Sequence, residues 1–205
     1  MNIRRTTLAV WLALGAVALP ARADSPITST PIADAYLDIP LVQKAREKGV
    51  LTPEMAEFLS NPQHPVDHKA ALINALSWRV EGKQNARLYE QFLRTRYGEW
   101  NLSKFTPDEV FALAYLTVMD NYFRPERAMS LFDQARLRNR HSLTVALIRI
   151  LNRAQMVMTQ PGEWCRVWRL ADETQRNRTL KNDLRPAARQ IILDYMVLYR
   201  ESCPR

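Results

Sequence analysis

Residues 106–140 constrain the fold more than any other stretch, because they encode two helices joined by a short turn. Thr106, Pro107 and Glu109 have the spacing of a capping box with proline at the first helical position. Over residues 110–119 the sequence is apolar on nearly every side of a helix, which a surface helix would not tolerate. This helix is therefore predicted to be central, with other helices covering two of its faces.

The second helix of this pair follows a turn at residues 123–125 and is predicted over residues 126–139. Ala128, Phe132 and Ala135 recur at helical spacing and predict its buried face, and charged residues occupy the remaining positions. The pair should thus pack as an antiparallel hairpin whose second helix is half exposed.

The same helical signals recur along the rest of the chain. The 205 residues contain only 5 glycines. Tight β-hairpin turns commonly need glycine, so few are expected, and most turns should be formed by Pro, Asn and Asp. We predict an all-α fold of antiparallel helix pairs, stacked as a short solenoid or a compact right-handed array, with a C-terminal helix capping its open end. The other predicted helices are 40–49, 53–60, 66–80, 84–97, 142–158, 163–177 and 184–201.

Three helix pairs are predicted, 66–80 with 84–97, the two helices of 106–139, and 142–158 with 163–177, and they can be aligned with one another. Tyr89 aligns with Phe132 at an offset of 43 residues, and Phe132 aligns with Trp168 at an offset of 36. The spacing of Ala128, Phe132 and Ala135 is similar to that in the second helix of a tetratricopeptide repeat, and the resemblance extends over about 110 residues. It implies an architecture only, and such arrays usually bind peptides or proteins on a concave face.

Residues 1–23 have the pattern of a cleaved signal peptide. Arg4 and Arg5 precede a twelve-residue apolar run at 8–19, and the following Ala-Arg-Ala has the small residues that a signal peptidase accepts. The run is shorter than the roughly 20 residues that a membrane-spanning helix needs. We therefore expect cleavage near Ala23 and a periplasmic or secreted protein.

The exported chain should contain a flexible leader at 24–33 and a single helical domain at 34–205, without a transmembrane span. In an oxidising compartment Cys165 and Cys203, the only two cysteines, predict a disulfide. It would join the end of the last helix to the start of the predicted helix 163–177.

Charge is distributed unevenly along the exported chain. Residues 24–135 carry 12 basic and 15 acidic side chains, whereas residues 136–205 carry 14 basic and 6 acidic ones, a net charge of +8. Thirteen of those 14 are arginine, whose guanidinium binds carboxylate and phosphate groups well. We expect an envelope protein partner or an anionic envelope component to bind there, and no nucleic acid; a merely solvated surface is the alternative. The candidate binding residues are Arg136, Arg138, Arg140, Trp164, Arg166, Trp168 and Arg169.

Two weaker patterns bear on catalysis. His64, Asp67 and His68 superficially resemble the His-x-x-Glu-His of inverted zinc proteases and are a weak metal candidate; a helix start is the alternative. Helical glycan-cleaving enzymes use two carboxylates in a cleft. The carboxylates that would suit this role are Glu99, Asp108, Asp120 and Glu163.

These patterns favour a non-enzymatic, periplasmic protein-binding or adaptor module of the bacterial envelope. The alternatives are an immunity or inhibitor protein against a toxin or cell-wall hydrolase, and a helical peptidoglycan-active hydrolase. The sequence has neither a glycine-rich phosphate loop nor a Gly-x-Ser-x-Gly motif, and it indicates no cofactor.

Overall fold

The computed structural model describes residues 25–204, so the predicted signal peptide and its cleavage site lie outside the described residues. The described part of the chain folds into nine α-helices and two 3-10 helices, and its one β-bridge joins Ser142 to Lys181. The predicted all-α fold of packed neighbouring helices with a C-terminal helix is confirmed. The helices are α1 (Pro40–Lys48), α2 (Pro53–Ser60), α3 (Val66–Leu76), α4 (Asn85–Tyr97), α5 (Pro107–Asp120), α6 (Glu126–Arg138), α7 (Leu143–Val157), α8 (Trp164–Arg176) and α9 (Pro186–Met196), with 3-10 helices at Ile32–Tyr36 and Val197–Ser202.

Helix α5 is the centre of the fold, as its apolar sequence predicted. The capping box is present: the Glu109 N–H donates to the Thr106 hydroxyl (3.2 Å), and the Thr106 N–H donates to the Glu109 carboxylate (2.8 Å). All its residues except Pro107, Asp108 and Thr117 are buried. It packs against α2, α3, α4, α6 and α7, so most of the core forms around this one helix.

Two of the three predicted helix pairs form, α5 with α6 and α7 with α8, and α6 also packs on α7. The predicted pairing of α3 with α4 is wrong, because α3 packs mainly on α1, the first 3-10 helix and α5, whereas α4 packs on α5 and α2. The start of α4 is fixed to the end of α5 instead. There the Asp120 carboxylate accepts the backbone N–H groups of Asn85 (3.0 Å) and Ala86 (2.8 Å).

The segment expected to be a flexible leader is packed where the structure describes it, over residues 25–33. Ile27 and Ile32 have no exposed surface. The side chain of Asn74 in α3 accepts the Ala33 N–H (3.0 Å) and donates to the Thr30 carbonyl (3.1 Å). Two isoleucines and these hydrogen bonds therefore hold a segment whose polar composition had suggested no structure.

Helix α9 packs on α8 and also on the first 3-10 helix, so it joins the beginning of the described chain to its end. Arg185, just before α9, forms a bidentate ion pair with Asp38 (2.5 and 3.0 Å) and lies 4.3 Å over the ring of Tyr36. The Tyr36 hydroxyl donates to Asp67 (2.7 Å) and accepts the Arg185 N–H (3.0 Å). The predicted capping helix thus closes the array back onto its first segment.

The predicted disulfide is present. Cys165 lies in the first turn of α8 and Cys203 directly follows the second 3-10 helix, with their Cα atoms 4.5 Å apart. This 3-10 helix packs on both α8 and α9. The bond therefore covalently fixes a segment that packing already holds in place.

Candidate binding site

The three arginines predicted at the end of α6 bond to the backbone of their own chain. Arg136 donates to the carbonyl of Arg140, Arg138 to that of Phe105 (3.0 Å), and Arg140 to that of Leu137 (3.2 Å). Burial lowers the pKa of Arg136 below its ordinary value. Much of the hydrogen-bonding capacity of this group is therefore used to hold the end of α6 and the loop before α5.

The two tryptophans of α8 pack against the core, and each keeps part of its surface exposed. The indole N–H of Trp164 donates to the carbonyl of Met158 (3.1 Å), which fixes the ring beside the turn before α8. Arg166 and Arg169 of the same helix are exposed instead. In this helix the arginines, more than the rings of Trp164 and Trp168, are available to a ligand.

Arg166 and Arg169 line a cleft of about 620 Å³ at the C-terminal end of the molecule. Arg153 contributes a third guanidinium from α7. Cys165 and Pro204 also line the cleft, so the disulfide holds the C-terminal segment beside the arginines. The volume is in the range of clefts that bind small ligands, roughly 300–1,000 Å³.

The charged side chains of this cleft differ in whether their charges are balanced. Arg166 forms an ion pair with Glu163 (3.3 Å). Arg153, which is half-buried, and Arg169, which is exposed, form no hydrogen bond or ion pair with any residue that the structure describes. Glu173 also lines the cleft, and within the same described part of the chain it has no such partner. Two cations and one anion are thus left open to a ligand.

Sequence reasoning missed Arg153, although one local signal pointed to it. Arg149 and Arg153 are the only charged residues of α7 and lie one helical turn apart. Arg149 is balanced by Asp133, at 2.6 Å. Arg153 is not balanced within the described chain, and this difference required the structure.

Of the four candidate catalytic carboxylates, the two on α5 are too far apart to act as a pair. Asp108 and Asp120 lie at opposite ends of α5, about 18 Å apart along the helix axis, whereas paired glycosidase carboxylates lie roughly 5–9.5 Å apart. Asp108, Glu99 and Glu163 each form an ion pair with a basic side chain. Burial raises the pKa of Asp120, although the hydrogen bonds that it accepts from two backbone N–H groups act to lower that pKa.

The weak metal candidate is not assembled. His64 stacks on Phe58 with ring centroids 3.9 Å apart, and the His68 ring contacts the edge of Tyr36 at 5.7 Å. The Asp67 carboxylate accepts the hydroxyl of Tyr36 and its neighbour's backbone N–H. Among residues 25–204, no three His, Cys, Asp or Glu side chains form a group that could hold a metal ion.

Comparison of the chain with protein-family models, with curated proteins and with solved structures gave no match. No helix within residues 25–204 is long and apolar enough to cross a membrane. The fold and the site by themselves define an all-α protein of packed helices, closed by its C-terminal helix and carrying an arginine-lined cleft beside a disulfide.

Proposed function

We propose that this protein is a non-enzymatic binding or adaptor module of the bacterial envelope, which engages a protein partner through its arginine-rich C-terminal flank, residues 136–205. The observation that carries the proposal is Arg153, a half-buried guanidinium in a cleft without a counter-ion among the described residues. Partial burial of an unpaired charge costs free energy, and an anionic group of a partner would offset that cost. Arg169 also has no counter-ion among the described residues, and it lines the same cleft.

The charges and hydrogen bonds indicate which of the candidate arginines can contact a partner. The C-terminal flank contains 14 of the basic residues, but the group at the end of α6 already bonds to backbone carbonyls. The cleft arginines are therefore better candidates for partner contact than Arg136, Arg138 and Arg140. Interfaces that use arginine in this way gain orientation and association rate from charge complementarity.

An envelope location is part of the proposal. A disulfide is typical of exported proteins, since cytosolic thiols are kept reduced. The signal-peptide pattern of residues 1–23 points the same way. The stacked helix pairs are compatible with a helical-repeat array of the kind that binds proteins, and kinship with tetratricopeptide repeats is proposed at the level of architecture only.

Site-directed photocrosslinking in the native cell tests this function. A photoreactive amino acid is placed at Gln160, an exposed position in the turn before α8, and at Gln63, an exposed position in the turn between α2 and α3. We expect a discrete crosslinked species from position 160 and none from position 63. Mass spectrometry of that species then separates an adaptor from an inhibitor of a toxin or hydrolase.

Matched charge reversals decide whether the cleft is responsible. Arg153→Glu with Arg169→Glu should abolish the crosslink from position 160. Arg79→Glu with Arg127→Glu is the control, because these arginines are exposed in the acidic half of the chain and form no ion pair within the described residues. A crosslink that survives the cleft reversals, or that appears equally from both positions, would refute the proposal.

A further inference from the structure

The cleft beside the disulfide contains groups of both charge signs, and this bears on which part of a partner it would bind. Arg166, Arg169 and Glu173 follow one another at offsets of three and four residues, so they share one face of α8. Arg153 from α7 lines the same cleft. The recognition surface is thus mixed in charge and not simply basic.

The opposite charges in this cleft do not all neutralise one another. Arg166 and Glu163 form an ion pair, yet Arg169 and Glu173, one turn apart, do not come within ion-pair distance. An arginine that precedes its acidic neighbour has the less favourable orientation for such a helical pair. One negative group therefore remains available next to the two unbalanced cations.

Two simpler anionic ligands fit this arrangement less well than a peptide does. A phosphate dianion would be repelled by the unbalanced carboxylate of Glu173, which lines the same cleft, and it offers no cation to that group. An anionic membrane attracts clusters of basic residues over a surface, and here the charges are mixed and line a cleft of about 620 Å³. A short peptide segment fits this volume and can present both signs of charge.

We propose that the cleft binds a short segment of the protein partner that carries a carboxylate and, one or two residues away, an ammonium or guanidinium group. The carboxylate is bound by Arg153 and Arg169, and the cation is bound by Glu173. This inference rests on the proposed function and deepens it, because it names the chemistry that the partner must present. The pairing of both signs gives specificity, since a partner with the wrong charge order meets like charges.

Fluorescence anisotropy with labelled synthetic hexapeptides tests the inference on the disulfide-bonded exported chain. The peptides have Gly and Ser at the remaining positions and carry either one Glu and one Lys, two Glu, or two Lys. We expect the mixed peptide to bind about tenfold more tightly than either of the others, the ratio that one additional charge contact of ordinary strength provides. Inorganic phosphate and vesicles containing an anionic phospholipid are tested as competitors and should displace it weakly.

Single substitutions test which cleft residue binds each charge of the peptide. Glu173→Gln should remove the preference for the mixed peptide over the two-Glu peptide, and Arg153→Gln should weaken binding of both. Glu47→Gln is the matched control, since Glu47 is exposed on α1 and forms no ion pair within the described residues. Circular dichroism melting of each variant shows that it is folded.

The outcomes distinguish this inference from the proposed function. Equal binding of the mixed and two-Glu peptides, or a preference that survives Glu173→Gln, overturns the inference. Tighter binding of phosphate or of the vesicles also overturns it and indicates an anion or membrane site. If the crosslink from position 160 persists in cells while no peptide binds, the inference fails and the proposed binding function stands; if that crosslink is absent, the proposed function itself fails.

Discussion

Removal of the disulfide should lower the stability of the protein by an amount that follows from its position. Cys165 and Cys203 are separated by 38 residues, and closing a loop of this length contributes about 4 kcal/mol in the chain-entropy treatment. In a domain of this size 1 kcal/mol corresponds to roughly 2–4 °C in Tm. Cys165→Ser with Cys203→Ser should therefore lower Tm by about 8–16 °C. The fold should persist, because Val197–Ser202 still packs on α8 and α9.

The assay is thermal unfolding followed by circular dichroism, with and without reductant. The reduced wild type should melt with the double variant, and reductant should not affect the variant. Ser202→Ala is the control, because Ser202 is exposed beside the disulfide and its hydroxyl makes no hydrogen bond within the described residues. Equal Tm values for wild type and double variant in non-reducing buffer would refute the reasoning.

Three further predictions concern the core and the protonation of one histidine. Asn74→Leu removes three buried hydrogen bonds; it should cost about 3 kcal/mol and expose residues 25–36 to limited proteolysis, and unchanged cleavage would show that this segment does not depend on it. Phe111→Ala, at a fully buried position in α5, should cost about 3–5 kcal/mol in denaturant unfolding, and a loss below 1 kcal/mol would contradict the central role of α5. Burial against Phe58 lowers the pKa of His64 below its ordinary value of 6.5. As the pH falls below 6.5, the unfolded chain therefore binds more protons than the folded chain, and the free energy of unfolding should decline. His64→Gln should remove that part of the decline, and identical pH profiles for variant and wild type would contradict it.

Most helix boundaries could be predicted because their signals are local, but α3 ends at Leu76 and not at residue 80, and the last predicted helix, 184–201, consists of α9 and the second 3-10 helix. Thr52, Thr106 and Ser142 each accept the N–H three residues ahead, as hydroxyl caps do. Gly49 ends α1 with a φ of 63°, which favours glycine. The disulfide could also be predicted from the sequence, since two cysteines allow only one intramolecular pairing.

The contacts that close the fold could not be predicted, because they join distant parts of the chain. Asp38 meets Arg185 across 147 residues, and no spacing pattern marks such a pair. The polar composition of residues 24–33 gave no indication that Ile27 and Ile32 are buried. The candidate site was predicted in part: the arginine-rich flank was identified, but which guanidinium groups lack a counter-ion depends on side-chain positions that a sequence does not specify.

The contact between the first described segment and α9 also determines the order in which the protein can fold. Tyr36 can pair with Asp67 soon after that part of the chain is made, whereas Arg185 reaches Tyr36 and Asp38 only when nearly the whole chain has been synthesised. Closing so long a loop costs more entropy than forming the local helix pairs, which should therefore assemble first. Until α9 arrives, the first 3-10 helix lacks one of the two helices that cover it. A chain in which α9 has not yet docked would thus carry exposed apolar surface at Ile32–Tyr36, and such surface is what chaperones and proteases recognise.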